Sequence, residues 1–222
     1  GLGNIAGVPN VVAPIEPAFH AFEEVYGPYP LERIGYVAIG DFPAAMEHTM
    51  NIAIPRILLA AGGYQTIYAH ELSHMWWGSN TNCASAQDMW LNEGIATYSE
   101  SIYTDAVSGE AAARNYRRST YQQAAVLDAH TDDGGYYALS GLQNPQPADI
   151  VYGTTNYYKG AAVVHTLANY LTPNDFYTAL QGIQATVAPA AISSEDFRQA
   201  LETETGEDLS DFFDAWVYSP GH

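Results

Sequence analysis

Apolar residues recur at intervals of three and four through most of this chain, a spacing that predicts helices more often than strands. Residues 11–26 read as a helix closing at Gly27, in spite of prolines in its first turns. Residues 34–39 form a short apolar run between glycines and read as a strand; residues 44–54 read as extended, an edge strand. Helices are then expected over 63–77, 88–106 and 110–129, with the small, polar stretch 79–87 as a loop. Residues 131–155, rich in Gly, Pro, Asn and Asp, are the longest irregular segment and run straight into Tyr157; loops of that length in compact domains are often functional. Helical spacing returns over 156–171, where Ala161, Val164, Leu167 and Ala168 share a face. Thr172-Pro173 ends that helix and opens another, to about residue 187. Ser193-Ser194-Glu195-Asp196 resembles a capping box for a helix stopping near Gly206, and 208–218 is the last, with Phe212, Phe213 and Trp216 turned inward.

The sum is an α+β chain, mostly helical with a small N-terminal sheet, and its 222 residues are enough to bury a sizeable core. Twenty-five acids against seven basic residues give a net charge of −18, which makes nucleic acid a poor partner because phosphate binding needs clustered cations. The acidic surface favours a secreted or periplasmic location. No apolar run reaches the length of a membrane span. Cys83 is the only cysteine, so an internal disulfide is excluded, and it reads as a small core or loop residue.

Candidate chemistry concentrates at His70-Glu71-Leu72-Ser73-His74. Histidines at i and i+4 lie one turn apart on one helix face, so both rings can reach one metal ion. Glu71, beside the first histidine, is the candidate general base. Eighteen residues separate His74 from Glu93, which lies in Trp90-Leu91-Asn92-Glu93-Gly94 and is the candidate third ligand. Three protein ligands and one open position is the pattern of catalytic zinc sites. The flanks Ile67-Tyr68-Ala69 and Met75-Trp76-Trp77 are largely apolar, and buried imidazoles and carboxylates are costly unless paired or bound to metal. His165, on an otherwise apolar helix, reads as a hydrogen-bonded core residue; His20, His130 and His222 read as surface or terminal residues, and Asp132-Asp133 as a solvated pair.

The segments 69–78 and 90–98 resemble the aminopeptidase N family of zinc metallopeptidases, the gluzincin group. Pro43-Ala44-Ala45-Met46-Glu47-His48 is similar to that family's Gly-Ala-Met-Glu-Asn segment, and Tyr157-Tyr158-Lys159-Gly160 to its Tyr-x-Lys-Gly segment. Gly27-Pro28-Tyr29-Pro30 and Trp216-Val217-Tyr218 fit the edges of the family's catalytic domain. The resemblance implies a thermolysin-like catalytic domain over residues 1–222, with an N-terminal lobe to about residue 62, a helical lobe from about residue 63, and the family's flanking domains absent. It implies one Zn2+ held by His70, His74 and Glu93, with Glu71 as general base and the Tyr157 hydroxyl as donor to the oxyanion. It further implies that Glu47, with Ala44, Ala45 and Met46, binds the free N-terminus of a peptide substrate. Two positions depart from the pattern: Ala44 stands for glycine and His48 for asparagine. These departures motivate two rival expectations, a zinc endopeptidase or a glycyl-aminopeptidase-like enzyme. An expectation from another class is a non-catalytic scaffold that keeps the fold.

Overall fold

The computed structural model of the chain describes residues 13, 15–40, 42–60, 63–128, 138–140 and 152–220. Most of the expected irregular segment 131–155 lies outside these, as do His130, Asp132, Asp133 and His222. Helix α1 (Ile15–Tyr26) buries Ala18, Phe22, Val25 and Tyr26 along one face and stops at Gly27, whose φ of +91° suits a residue without Cβ. The rings of Phe19, Phe22, Tyr26 and Tyr29 lie 5.1–6.2 Å, centroid to centroid, from Trp76. The Trp76 indole N–H donates to the Gly27 carbonyl at 2.9 Å, so the end of α1 is fastened to the chain just after the His-Glu segment.

Strands β1 (Tyr36–Ile39) and β2 (Ile52–Pro55) pair in parallel, Tyr36 opposite Ile52 and Ile39 opposite Pro55. The expected single extended segment over 44–54 is replaced by a fold-back. Met46 bridges antiparallel to Ala53, the chain turns through Met50 at φ +60°, and β2 is buried at every position. A continuous apolar run such as Ile52-Ala53-Ile54 marks a covered strand, not an edge. This fold-back sets the position of Glu47.

After α2 (Arg56–Ala60) comes α3 (Gln65–Ser73), shorter than the spacing predicts. His74 caps its C-terminus, and Trp77 leaves the helix to bridge with Thr81 across Gly78 at φ +150°. The expected loop 79–87 contains β3 (Thr81–Cys83), paired in parallel with β4 (Ala190–Ile192). Half-buried Cys83 lies on β3, packed against the core. A 3-10 turn (Ala86–Asp88) leads to α4 (Trp90–Ser108), then α5 (Glu110–Arg117), a π turn (Arg118–Gln122) and α6 (Gln123–Asp128). A second π turn (Thr155–Lys159) opens α7 (Gly160–Leu171), followed by α8 (Pro173–Thr186), α9 (Ser194–Thr205) and α10 (Ser210–Trp216). The capping box at α9 forms, with Ser193 and Asp196 reciprocally bonded and Gly206 in the left-handed conformation at the far end. Phe212 and Phe213 are buried, but Trp216 is 37% exposed: its ring lies over Phe212 at the rim. Among the described residues no helix is long and apolar enough to cross a membrane.

Among the contacts that hold α4, the central helix, two fix its start and its first turns. Buried Asp88, just before it, accepts from the Ser194 amide at 3.0 Å and the Ser194 hydroxyl at 2.6 Å, locking its start to α9. Further along, Gly94 meets Gly160 of α7. A Cβ on Gly94 would lie 2.9 Å from the Gly160 backbone and 3.1 Å from the Asn156 carbonyl. Only glycine permits that approach, and it brings the turn bearing Tyr157 against the turn bearing Glu93.

Gly94→Ala is therefore expected to lower stability by about 1–3 kcal/mol in urea unfolding, because two backbones would have to separate. Gly40→Ala, where a Cβ meets nothing within 4 Å, should stay within about 0.5 kcal/mol of the parent. Equal effects at the two sites would contradict the close-crossing account.

A candidate metal centre

Helix α3 and the first turn of α4 each present part of one buried donor set. His70 comes from the last turn of α3, His74 caps that helix, and Glu93 comes from α4, whose amide-rich N-terminus favours a carboxylate. The Glu93 Oε2 atom lies 3.3 Å from His70 Nε2 and 3.5 Å from His74 Nε2. The three residues are 8%, 1% and 5% exposed. Their ligating atoms all lie within 4.8 Å of one another, a spacing that a single ion can fill.

The second ring nitrogens settle which atoms face inward. His74 Nδ1–H donates to the Trp77 carbonyl at 3.0 Å, since a carbonyl only accepts. His70 Nδ1–H donates to Glu100 Oε1 at 2.8 Å. Both rings are thus held with Nε2 toward Glu93, the arrangement in which outer-layer partners orient metal-binding imidazoles. Neither partner was singled out from the sequence. Glu100 stands seven residues after Glu93, two turns along the same helix face, which is the signal that could have found it. The Trp77 carbonyl is main chain and has no signature in residue type.

Glu71 is buried beside this set, and its Oε2 has no hydrogen-bond partner among the described residues. Burial raises its pKa, while the two imidazoles pull it down. Tyr157 is half-buried, its ring parallel to that of His70 at 6.1 Å. Burial and the neighbouring Glu93 carboxylate raise its pKa, so it stays a neutral donor. Glu47 is close enough to act electrostatically on both Glu71 and Tyr157. Ala44 is exposed, Ala45 half-buried, and Met46 is fixed by its bridge to Ala53. Exposed His48 lies in a small polar pocket with Glu47, Ser79 and Asn92. The chain's one lysine, Lys159, is buried, with no partner for its Nζ among the described residues, and burial lowers its pKa to about 8. Of the candidate site residues, His70, His74 and Glu93 form one cluster that could hold a metal ion. Half-buried His165 faces a separate cleft of about 650 Å³ behind α4, with Tyr98, Arg117 and Tyr177.

In metal-free protein the donor set is an ion-pair cluster. Burial disfavours charge on all three groups, but Glu100 and then Glu93 raise the pKa of His70, Glu93 raises that of His74, and Glu93 is itself held below the ordinary carboxylate range by the two rings. A histidine with a raised folded pKa adds stability that is complete below its unfolded pKa of about 6.5 and is lost as pH climbs through the folded value. Metal-free protein should therefore melt a few degrees lower at pH 8 than at pH 6 in thermal unfolding, and Glu93→Gln should flatten that difference. An equal pH dependence in the variant would contradict the pairing.

The sequence model of the Peptidase family M1 domain matches residues 14–216. The chain is 29% identical over 223 residues to Aminopeptidase M1 of Arabidopsis thaliana, a match covering 90% of the chain and 24% of that protein. It spans about a quarter of the length of the curated relatives it matches. Among solved structures, yeast LTA4 hydrolase in complex with Bestatin superposes with a TM-score of 0.80 at 22% identity, over 94% of the chain and 35% of that structure. The M1 zinc metallopeptidase from Deinococcus radiodurans superposes with a TM-score of 0.74 at 20% identity, over 93% and 44%. Likeness at those identities establishes a shared fold, mostly helical with small sheets, and the family match adds the lineage: this chain belongs to peptidase family M1.

Proposed function

We propose that the chain is the catalytic portion of a zinc-dependent aminopeptidase that hydrolyses the first peptide bond of peptides with a free N-terminus. The observation that carries this reading is the buried His70–His74–Glu93 donor set with Glu71 beside it, whose Oε2 has no partner among the described residues. The donor chemistry fits Zn2+, two imidazole nitrogens and one carboxylate, and a solved structure of the same fold is described as a zinc metallopeptidase. Bound there, the ion would supply Lewis acidity, lowering the pKa of a water to about 7 and polarising a carbonyl.

The chain's own residues do the rest. Glu71, with a pKa raised by burial, takes a proton from the attacking water and delivers it to the leaving amine. Neutral Tyr157 donates a hydrogen bond to the oxygen on which charge develops. Glu47 accepts from the substrate's α-ammonium group, a charge-assisted contact that restricts cleavage to the first residue. His70 and His74, oriented from behind by Glu100 and the Trp77 carbonyl, hold the ion.

A free-amine peptide or aminoacyl anilide should be hydrolysed and its N-acetylated counterpart spared; cleavage of the blocked substrate would favour an endopeptidase. Glu71→Gln should lower kcat by about 10²–10⁴-fold, and Tyr157→Phe by about 10²–10³-fold with little change in KM. Unchanged turnover in Glu71→Gln protein would contradict hydrolysis by this site and leave the scaffold reading.

A further inference from the structure

Behind Glu100 stands a tyrosine that no motif marks. Tyr116, half-buried on α5, donates its hydroxyl hydrogen bond to Glu100 Oε2. Burial and the adjacent carboxylate raise the Tyr116 pKa, so the phenol is the donor and the carboxylate the acceptor. Thr66, in the first turn of α3, and Thr120, in the π turn after α5, lie near enough to moderate that rise. The phenol therefore ties α5 to α4 at Glu100. The other oxygen of the carboxylate it grips accepts from His70 Nδ1–H.

We infer that Tyr116 is a positioning residue for the metal centre, acting on His70 through Glu100; the inference rests on the metal-binding reading above. A carboxylate has two acceptor oxygens and can rotate about its side-chain bonds. With Oε2 held by Tyr116, Oε1 stays toward His70, the proton stays on Nδ1, and the Nε2 lone pair stays aimed at the site. A free Glu100 would be at liberty to turn to solvent, and the ring would lose its fixed orientation. Ordering these groups before the ion arrives removes a cost that metal binding would otherwise carry. Tyr116 makes no contact with substrate in this scheme.

The test is a double-mutant cycle read in metal affinity, not turnover. Zn2+ affinity is measured by competition with a chromogenic chelator for the unmodified chain, Tyr116→Phe, Glu100→Gln and the double variant, with the melting temperature of each metal-free protein recorded alongside. Glu100→Gln should weaken Zn2+ binding by about 10–100-fold and Tyr116→Phe by about 3–10-fold. In the Glu100→Gln background the Tyr116→Phe substitution should cost nothing further, because the carboxylate it holds is gone. Unchanged affinity in Tyr116→Phe protein would overturn the inference while leaving the metal site standing. Losses that multiply independently, in step with lowered melting temperature, would equally overturn it, since they mark general packing. Failure of the unmodified chain to bind Zn2+ would remove the functional reading first and this inference with it.

Discussion

Two imidazoles and a carboxylate, almost wholly buried, lie 3.3–3.5 Å apart at their contact points, and this cluster is what the fold must hold. Ionisable groups taken out of water cost several kcal/mol each unless paired or bound to an ion. The cluster meets that demand in layers. Glu93 faces both rings; Glu100 and the Trp77 carbonyl take the outward nitrogens. Tyr116 takes the far side of Glu100. The layers draw on α3, α4, α5 and the turn after α3, so the polar centre is only as fixed as the apolar packing that brings those elements together.

That packing is mainly aromatic, and it is anchored by hydrogen bonds. Trp76, two residues past His74, sits among four rings and is tied to the end of α1; Trp90, three residues before Glu93, donates to Ser194 at 2.8 Å and so joins α4 to α9. The glycine crossing adds the third constraint. Where α4 and α7 touch backbone to backbone, Tyr157 is carried to the ring of His70. A buried donor set, a half-buried tyrosine and a carboxylate oxygen with no partner among the described residues lie side by side there. They persist because the surrounding rings leave them little room to relax.

Those parts of the site that depend on short-range spacing were legible in the residues. His70 and His74 share a face because four residues make about one helical turn, and Glu71 is their neighbour whatever the tertiary arrangement. Capping at Ser193 and Asp196 is equally local. What depended on distant pairing was not legible. Thr81-Asn82-Cys83 is a three-residue polar strand, with no alternation to mark it, whose partner lies more than a hundred residues on. The fold-back at Met50 required a non-glycine residue at positive φ, which residue type does not announce. Trp216 is apolar enough to be expected inside, yet α10 is short and its last turn reaches the rim. Glu100 lay on a recognisable stripe, but Tyr116 did not: its role arises only where α5 crosses behind the centre.

The central claim is that one divalent ion binds where these three side chains converge. Diffraction from crystals equilibrated with Zn2+, collected on both sides of the zinc absorption edge, measures this directly. The account predicts a single strong anomalous peak at about 2.0–2.2 Å from His70 Nε2, His74 Nε2 and a Glu93 carboxylate oxygen. No peak there, or one held by other residues while Glu93 remains paired to the two rings, would contradict it.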